Sequence, residues 1–310
     1  MEKVSILHLV TPAKNGSPFD INMAIDSGFE NVMVYTDVQQ SEVTGLTQDV
    51  IFSRSPSGVK RTGIFIGGRD VDLATDMLSA SKQAMFGPFT CSVFADPSGA
   101  FTTSGAMIAK VQFHLKKQFD EDLKGQNISV FGATGPVGGC VSIIAAQNGA
   151  NVTLIAHTEN SKKEAEIRVE NWNKKYKINL KVALGGADEA KQDILANSDI
   201  VLCAAAAGVQ VLSSKHLSFA KKLKVVADVN AVAPVGVEGV DVNDDGVIIK
   251  NSKAFGIGAL AVGQLKYVVQ HALLKSMLFS EKPQVLDFMS AFELAKNTLQ
   301  KAAEAAYGVD

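Results

Sequence analysis

VFGATGPVGGC, Val130–Cys140, decides how the chain is read. An apolar strand runs into Gly132, Gly135 and Gly138, and an apolar helical run, Val141 to Ala146, follows. In a G-x-x-G-x-x-G turn of this kind the first glycine permits the tight turn. The second lets a pyrophosphate approach the backbone, and the third lets helix and strand pack closely. Thr134, Pro136 and Val137 complete the turn, and the N–H groups opening the next helix attract phosphate. The expected ligand is a dinucleotide; the bland alternative is a structural turn that binds no phosphate. Yet 131 residues precede Gly132 in a chain of 310, so something of domain size stands in front of it.

That leading part alternates too. Strands are expected at Val4–Val10, Asn31–Tyr35, Thr62–Ile66 and Cys91–Ala95, short apolar runs of the kind buried in parallel sheets. Between them Phe19–Gly28 reads as a helix, capped by Asp20 and ended by Gly28, and Asp70–Ala84 as another, with Asp70 as N-cap. A longer helix runs from about Ser104 to Gln118, and the polar run Asp120–Gln126 marks a boundary. Beyond it strands are expected at Asn127–Gly132, Asn151–Ala156, Asp199–Ala205, Lys224–Val229 and Gly246–Lys250. The pattern predicts an α/β chain of two doubly wound domains: 1–120, a Rossmann-type nucleotide domain over 121–285, and a C-terminal helix, 286–310, packing back on the first. A cleft between the two domains is the expected place for substrate.

Composition excludes several classes. Lys plus Arg number 30 against 32 acids, so no basic field points to nucleic acid or to an anionic membrane. No apolar stretch reaches membrane-spanning length, and MEKVSILHLV lacks the features of a cleavable signal. A cytoplasmic protein is expected. Cys91, Cys140 and Cys203 are far apart and form no CxxC, against both a disulfide framework and a zinc site. Cys140 reads either as a thiol at a helix start or as a small packing residue.

The strand after the glycine turn ends in Ala156-His157-Thr158, where an NAD-preferring domain usually carries an acid for the ribose 2′-hydroxyl. None stands there. Thr158, Ser161, Lys162 and Lys163 offer donors and charge to a 2′-phosphate instead, so NADP is expected ahead of NAD. A solvated first helical turn suits the same residues.

An acid–base apparatus is inconspicuous. No tyrosine has a lysine four residues on, the five histidines show no HExxH spacing, and no GxSxG occurs. No metal site is expected, and His8, in a predicted strand, reads as a satisfied core residue.

Six stretches carry a resemblance: SPFDINMAIDSGFE (Ser17–Glu30), GLTQDVIFSR (Gly45–Arg54), RTGIFIGG (Arg61–Gly68), FADPSGAFTT (Phe94–Thr103), ADVNAVAPVGVEGVDVN (Ala227–Asn243) and GIGALAVGQLKY (Gly256–Tyr267). In these the chain resembles, over nearly its whole length, the bacterial methylene-tetrahydromethanopterin dehydrogenases of methylotrophs, which accept NADP and sometimes NAD. The resemblance implies direct hydride transfer from the one-carbon bridge of the pterin to nicotinamide. The methenyl cation formed is stabilised by its two flanking nitrogens, so no proton need move, which accounts for the missing acid and base. Positioning and the local field would then carry catalysis.

By the same resemblance Lys266 is placed at the reaction centre, although a lysine opening an amphipathic helix is ordinarily a solvated residue. Phe19 stacks on the pterin and Asp20 lies beside it, or the two are a core aromatic and a helix cap. Asp96, Ser98, Thr102 and Thr103 follow a strand on the ligand side of the sheet, or form an ordinary polar loop. Asn230 and Ala231 face the nicotinamide half, Ala206 and Gly208 pass near its ribose, and Asp228 fixes the loop. The family forms homo-oligomers. Its glycine turn and its strand-end residues after Ala156 vary within the family. A methylene-tetrahydrofolate dehydrogenase, with or without cyclohydrolase activity, and a nucleotide-binding sensor without turnover remain the alternatives.

Overall fold

The structure is a computed structural model that describes residues 3–307. The chain forms two compact units, Met1–Thr102 with Tyr267–Ala291, and Thr103–Lys266 with Phe292–Asp310. The division near residue 102 falls inside a helix, whereas the polar run Asp120–Gln126 had suggested a boundary at 120. A second crossing between Lys266 and Tyr267 and a third at Ala291 are also helical. No polar or glycine-rich linker announces these crossings, so composition could not reveal them.

In chain order the first unit runs β1 (Ile6–Val10), α1 (Pro18–Asp26), β2 (Asn31–Tyr35), α2 (Val43–Phe52), α3 (Pro56–Val59), β3 (Thr62–Ile66), α4 (Val71–Ala84) and β4 (Ser92–Ala95), and leads into α5 (Ala100–Phe119). The second holds β5 (Asn127–Phe131), α6 (Pro136–Gln147), β6 (Asn151–Ala156), α7 (Glu159–Tyr176), β7 (Lys181–Leu184), α8 (Asp188–Ala196), β8 (Ile200–Cys203), α9 (Ser214–Leu217), β9 (Val225–Asp228), β10 (Asp245–Ile248) and β11 (Phe255–Ile257). Then come α10 (Ala259–Phe279), β12 (Val285–Leu286) and α11 (Phe288–Tyr307).

The first sheet has the order β12-β4-β3-β1-β2 and is parallel throughout. Both faces of its centre are covered, so β3 is buried at every residue, as continuous apolar strands of parallel sheets are. Phe65 and Phe94 meet edge to face with centroids 5.3 Å apart. The helix expected over 19–28 is α1, but its cap is Ser17, whose hydroxyl accepts from the Asp20 N–H at 3.3 Å. Pro18 at the first helical position explains the earlier start. Asp70 caps α4 by accepting from the N–H groups of Asp72 and Leu73. His8 bonds through Nδ1 to the Tyr35 hydroxyl at 3.1 Å, and burial, then Arg54, lowers its pKa.

The second sheet has the order β10-β11-β9-β8-β5-β6-β7, parallel except for β10 at its edge. This edge is tied down by side chains: Lys110 Nζ and His114 Nε2 on α5 reach the two carboxylate oxygens of Asp245 at 2.7 and 2.8 Å. Strands β7, β11 and β12 went unforeseen, being two to four residues long with little apolar alternation. α11 begins in the first unit and continues in the second. Phe288, at its start, stacks edge to face on Phe101, so only the start of the C-terminal helix belongs with the first unit.

Candidate active site

Each sheet has one point where strand order reverses, and ligands of open α/β sheets bind outside the carboxyl ends of the strands there. In the second sheet that point lies between β5 and β8. The β5–α6 turn occupies it. Gly132 has φ +73°, and a Cβ on it would lie 2.3 Å from the Ala204 carbonyl oxygen, backbone of the loop after β8. A Cβ on Gly138 would lie 2.4 Å from the Gly132 carbonyl oxygen, so the first and third glycines are steric requirements. Gly135 is the N-cap residue of α6 and no side chain caps this helix; Pro136 follows at its first position. The residues of VFGATGPVGGC thus build a cradle of backbone with an uncapped helix start, the form a pyrophosphate requires.

Beside the turn, Gly132, Ala156, His157, Lys191, Ala206 and Gln210 are among the residues lining a cavity of about 230 Å³. His157 is exposed at the end of β6. Thr158 caps α7 in a reciprocal box with Ser161: the Ser161 N–H donates to Thr158 Oγ1 and the Thr158 N–H to Ser161 Oγ. Lys162 lies 3.8 Å from Glu166 one turn on. All four are therefore at the strand end where they were expected, with the two hydroxyls already bonded to one another. Cys140 is buried inside α6, in the packing role.

The loops after β8 and β9 continue the crevice, and the β8 loop reaches the cavity beside His157 as well. Ala206 and Ala231 are exposed there, and Gly208 turns its loop at φ +75°. Asn230 does not face outward with them: it is buried, and its amide bonds only to backbone of the two loops. Asp228 is buried below it and accepts from the Asn230 and Val237 N–H groups. Burial raises the Asp228 pKa, while these backbone donors oppose the rise.

In the first sheet the order reverses between β1 and β3. Residues of the segments after those strands, Thr11 and 13–17 with Gly67–Arg69, line a pocket of about 470 Å³, joined by Asp20 and Ser98. Lys14, Asn15 and Arg69 belong to this pocket and were not picked out in the sequence, since exposed polar residues in loops carry no periodic signal. Ser98 is exposed and strained at φ +50°, with its hydroxyl donating to the Gly68 carbonyl at 2.9 Å. Phe19 is 47 % exposed, which removes the core-aromatic alternative. Asp20 is buried and accepts from Gln270 Nε2 at 3.0 Å; Gln270 is a second residue that the sequence did not bring forward.

Asp96 and Thr102 lie elsewhere than a ligand surface. Asp96 is fully buried and holds the start of α5, accepting from the Phe101 and Thr102 N–H groups and, at 2.6 Å, from the Thr102 hydroxyl. Thr103 follows, half-buried, in the same helical turn. Lys266 is half-buried and stands in the third turn of α10; the helix starts at Ala259, so GIGALAVG is largely helical and Lys266 does not open it.

Comparison with known proteins places this geometry. A family profile described as "Methylene-tetrahydromethanopterin dehydrogenase, N-terminal" matches residues 18–98. An NAD(P)-dependent methylenetetrahydromethanopterin dehydrogenase of Methylorubrum extorquens is 44% identical over 291 residues, 94% of this chain and 97% of the relative. The bifunctional protein MdtA of the same organism is 30% identical over 90% of this chain and 94% of its own. Among solved structures, the shikimate 5-dehydrogenase of Listeria monocytogenes superposes with a TM-score of 0.50 at 14% identity, covering 96% of each chain. That likeness speaks for the fold alone.

Proposed function

Because the chain belongs to the methylene-tetrahydromethanopterin dehydrogenase family, we propose that it oxidises 5,10-methylene-tetrahydromethanopterin to the 5,10-methenyl form, with NADP, and also NAD, as the cofactor. The observation that carries this reading is the whole-chain identity joined to the backbone cradle at the β5/β8 reversal.

A dinucleotide bound there supplies a nicotinamide able to accept hydride. The chain's own residues do the rest. Gly132, Thr134, Gly135, Pro136, Val137 and Gly138 hold the pyrophosphate by backbone. His157, Thr158, Ser161 and Lys162 take the adenosine ribose with its 2′-phosphate; Ala206, Gly208 and Ala231 line the other half. The pterin is assigned to the pocket at the β1/β3 reversal, with Phe19 stacking on its ring and Asp20 and Ser98 meeting its polar edge. Asp96 and Thr102 fix the loop that presents Ser98. One carbon–hydrogen bond of the bridge breaks with its electron pair, and the charge left behind is shared by two nitrogens, so no base is required. Lys266, a cation, would disfavour a cationic product if it stood against the bridge; its assigned work is to hold polar groups of the pterin in place. A cytoplasmic homo-oligomer belongs to the same reading. Exposed Ile25, Val268 and Phe279 give a subunit contact apolar area to bury, and no helix among the described residues is long and apolar enough to cross a membrane.

The test is an absorbance assay of purified protein with methylene-tetrahydromethanopterin and NADP, then NAD, with methylene-tetrahydrofolate as the parallel substrate. Turnover clearly favouring the methanopterin supports the proposal. Turnover confined to folate would change the carrier, and none at all with folded, nucleotide-binding protein would sink the reaction.

A further inference from the structure

We propose that Asn230 is a positioning residue that sets the wall for the nicotinamide half of the cofactor by bolting together the loops after β8 and β9. The inference rests on the dinucleotide reading of the β5/β8 crevice. A primary amide has two donor hydrogens and two acceptor lone pairs. All four are engaged here, and every partner is backbone. Oδ1 accepts from the Gly208 N–H at 3.2 Å and the Val232 N–H at 3.0 Å, and Nδ2 donates to the carbonyls of Pro234 at 3.2 Å and Ala206 at 3.5 Å. Two of these partners lie on each loop. Since Asn230 is only 4% exposed, its amide is left with nothing to offer a ligand.

The bolt is itself anchored. Asp228, at the end of β9, accepts from the Asn230 N–H at 3.0 Å and the Val237 N–H at 2.9 Å. Gly236 packs so closely that a Cβ there would meet Cys203 Sγ at 2.5 Å and Asp228 Oδ1 at 2.8 Å. The loops are tied a second time further on, where the Val211 N–H donates to the Gly236 carbonyl at 2.7 Å. Between these ties Asn230 holds the segment 206–209 at two points, the Gly208 N–H and the Ala206 carbonyl.

The place of this segment makes it more than a staple. An adenosine ribose is recognised at the end of the strand after the glycine turn, here β6, and the dinucleotide crosses the reversal point. The loops after β8 and β9 follow the strands beyond that point. The β8 loop abuts Gly132 and borders the cavity beside His157 through Ala206 and Gln210, while Val232 and Pro234 belong to the β9 loop. Loosening the pair of loops should therefore harm the nicotinamide half of the cofactor more than the adenosine half.

The test compares two ligands on wild type, Asn230→Ala and Asn230→Asp by equilibrium titration: NADPH, and adenosine 2′,5′-bisphosphate, which lacks the nicotinamide half. N230A is expected to weaken NADPH about tenfold, the loss of one or two net hydrogen bonds, with the bisphosphate unchanged within about twofold on the same scale. N230D keeps the acceptor side but turns a carboxylate oxygen on the carbonyls of Ala206 and Pro234, so its NADPH affinity should fall at least as far as that of N230A. It also serves if N230A does not fold. Equal losses for both ligands, or no loss for either, would overturn the inference while leaving the cofactor reading intact. Wild-type protein binding neither ligand would overturn both.

Discussion

The two order-reversal points of this chain are built from different materials. At β5/β8 the surface is backbone: glycines that admit no Cβ, an uncapped helix start, and loops bolted from below by a buried amide. At β1/β3 it is side chains, with Ser98 exposed beside Lys14 and Arg69, Phe19 exposed in the first turn of α1, and a buried Asp20–Gln270 pair. A backbone surface suits a part every dinucleotide shares, the pyrophosphate. A side-chain surface suits a ligand with its own pattern of ring and polar edge. The general feature is thus written in steric necessity, and the particular one in exposed groups that can change without cost to the fold.

This contrast can be broken by substitution. The largest effect is expected at Gly132→Ala. The left-handed φ costs alanine about 1–2 kcal/mol, and the neighbouring Ala204 carbonyl, 2.3 Å from the added Cβ, is backbone with no flexible end to yield. NADPH titration should detect no binding, and a thermal scan should place Tm at least about 5 °C lower. Gly135→Ala, whose Cβ would sit 3.3 Å from the Gly132 carbonyl oxygen, should keep its Tm and lose affinity only. An equal fall in Tm for both would break the distinction drawn between the first and second glycines.

Lys266→Met comes next. Steady-state kinetics should record a fall in kcat of about a hundredfold, the scale of a lost preorganised polar contact in a transition state, with NADPH affinity unchanged. A change in NADPH affinity alone would move Lys266 out of the pterin role. Phe19→Ala should then raise KM for the pterin about tenfold, as loss of one ring stack does, with kcat and Tm kept because the side chain is already half in solvent. A lowered Tm would return Phe19 to the core.

The smallest effect concerns neither reversal point but the sheet edge at β10. Burial acts to raise the Asp245 pKa, yet hydrogen bonds from His114 and Lys110 outweigh it and lower it from 3.8 to about 2. A depressed carboxyl contributes stability that is whole above its unfolded pKa and is lost as pH falls through its folded one. Acid titration of stability should therefore show a loss between about pH 4 and pH 2 that Asp245→Asn flattens. An unaltered acid profile in that variant would contradict the role of the cluster.

How much of this was legible follows from the same difference in materials. VFGATGPVGGC announced its turn because a Cβ is excluded at Gly132 and Gly138, and Asp70 announced α4 because an unfilled helix start needs an acceptor. Ser17 displaced Asp20 as the cap of α1, since Pro18 moves the helix start upstream. Asn230 was picked out as a residue of the cofactor site, but periodicity cannot tell an amide that faces a ligand from one that faces two loops. Asp96 and Thr102 were misplaced for the same reason: a polar pair after a strand has one appearance whether it meets a ligand or caps the next helix. Lys14, Arg69 and Gln270 carried no signal, because convergence at the end of a sheet is a property of strand order. The two-residue β12 and the crossings within α5, α10 and α11 are likewise set by tertiary contacts.

The central claim is direct hydride transfer from the one-carbon bridge. The measurement that tests it most directly uses methylene-tetrahydromethanopterin deuterated at both bridge positions, with mass analysis of the reduced nicotinamide cofactor after one turnover. One deuterium in every reduced cofactor is the predicted result. Reduced cofactor free of deuterium would contradict the account.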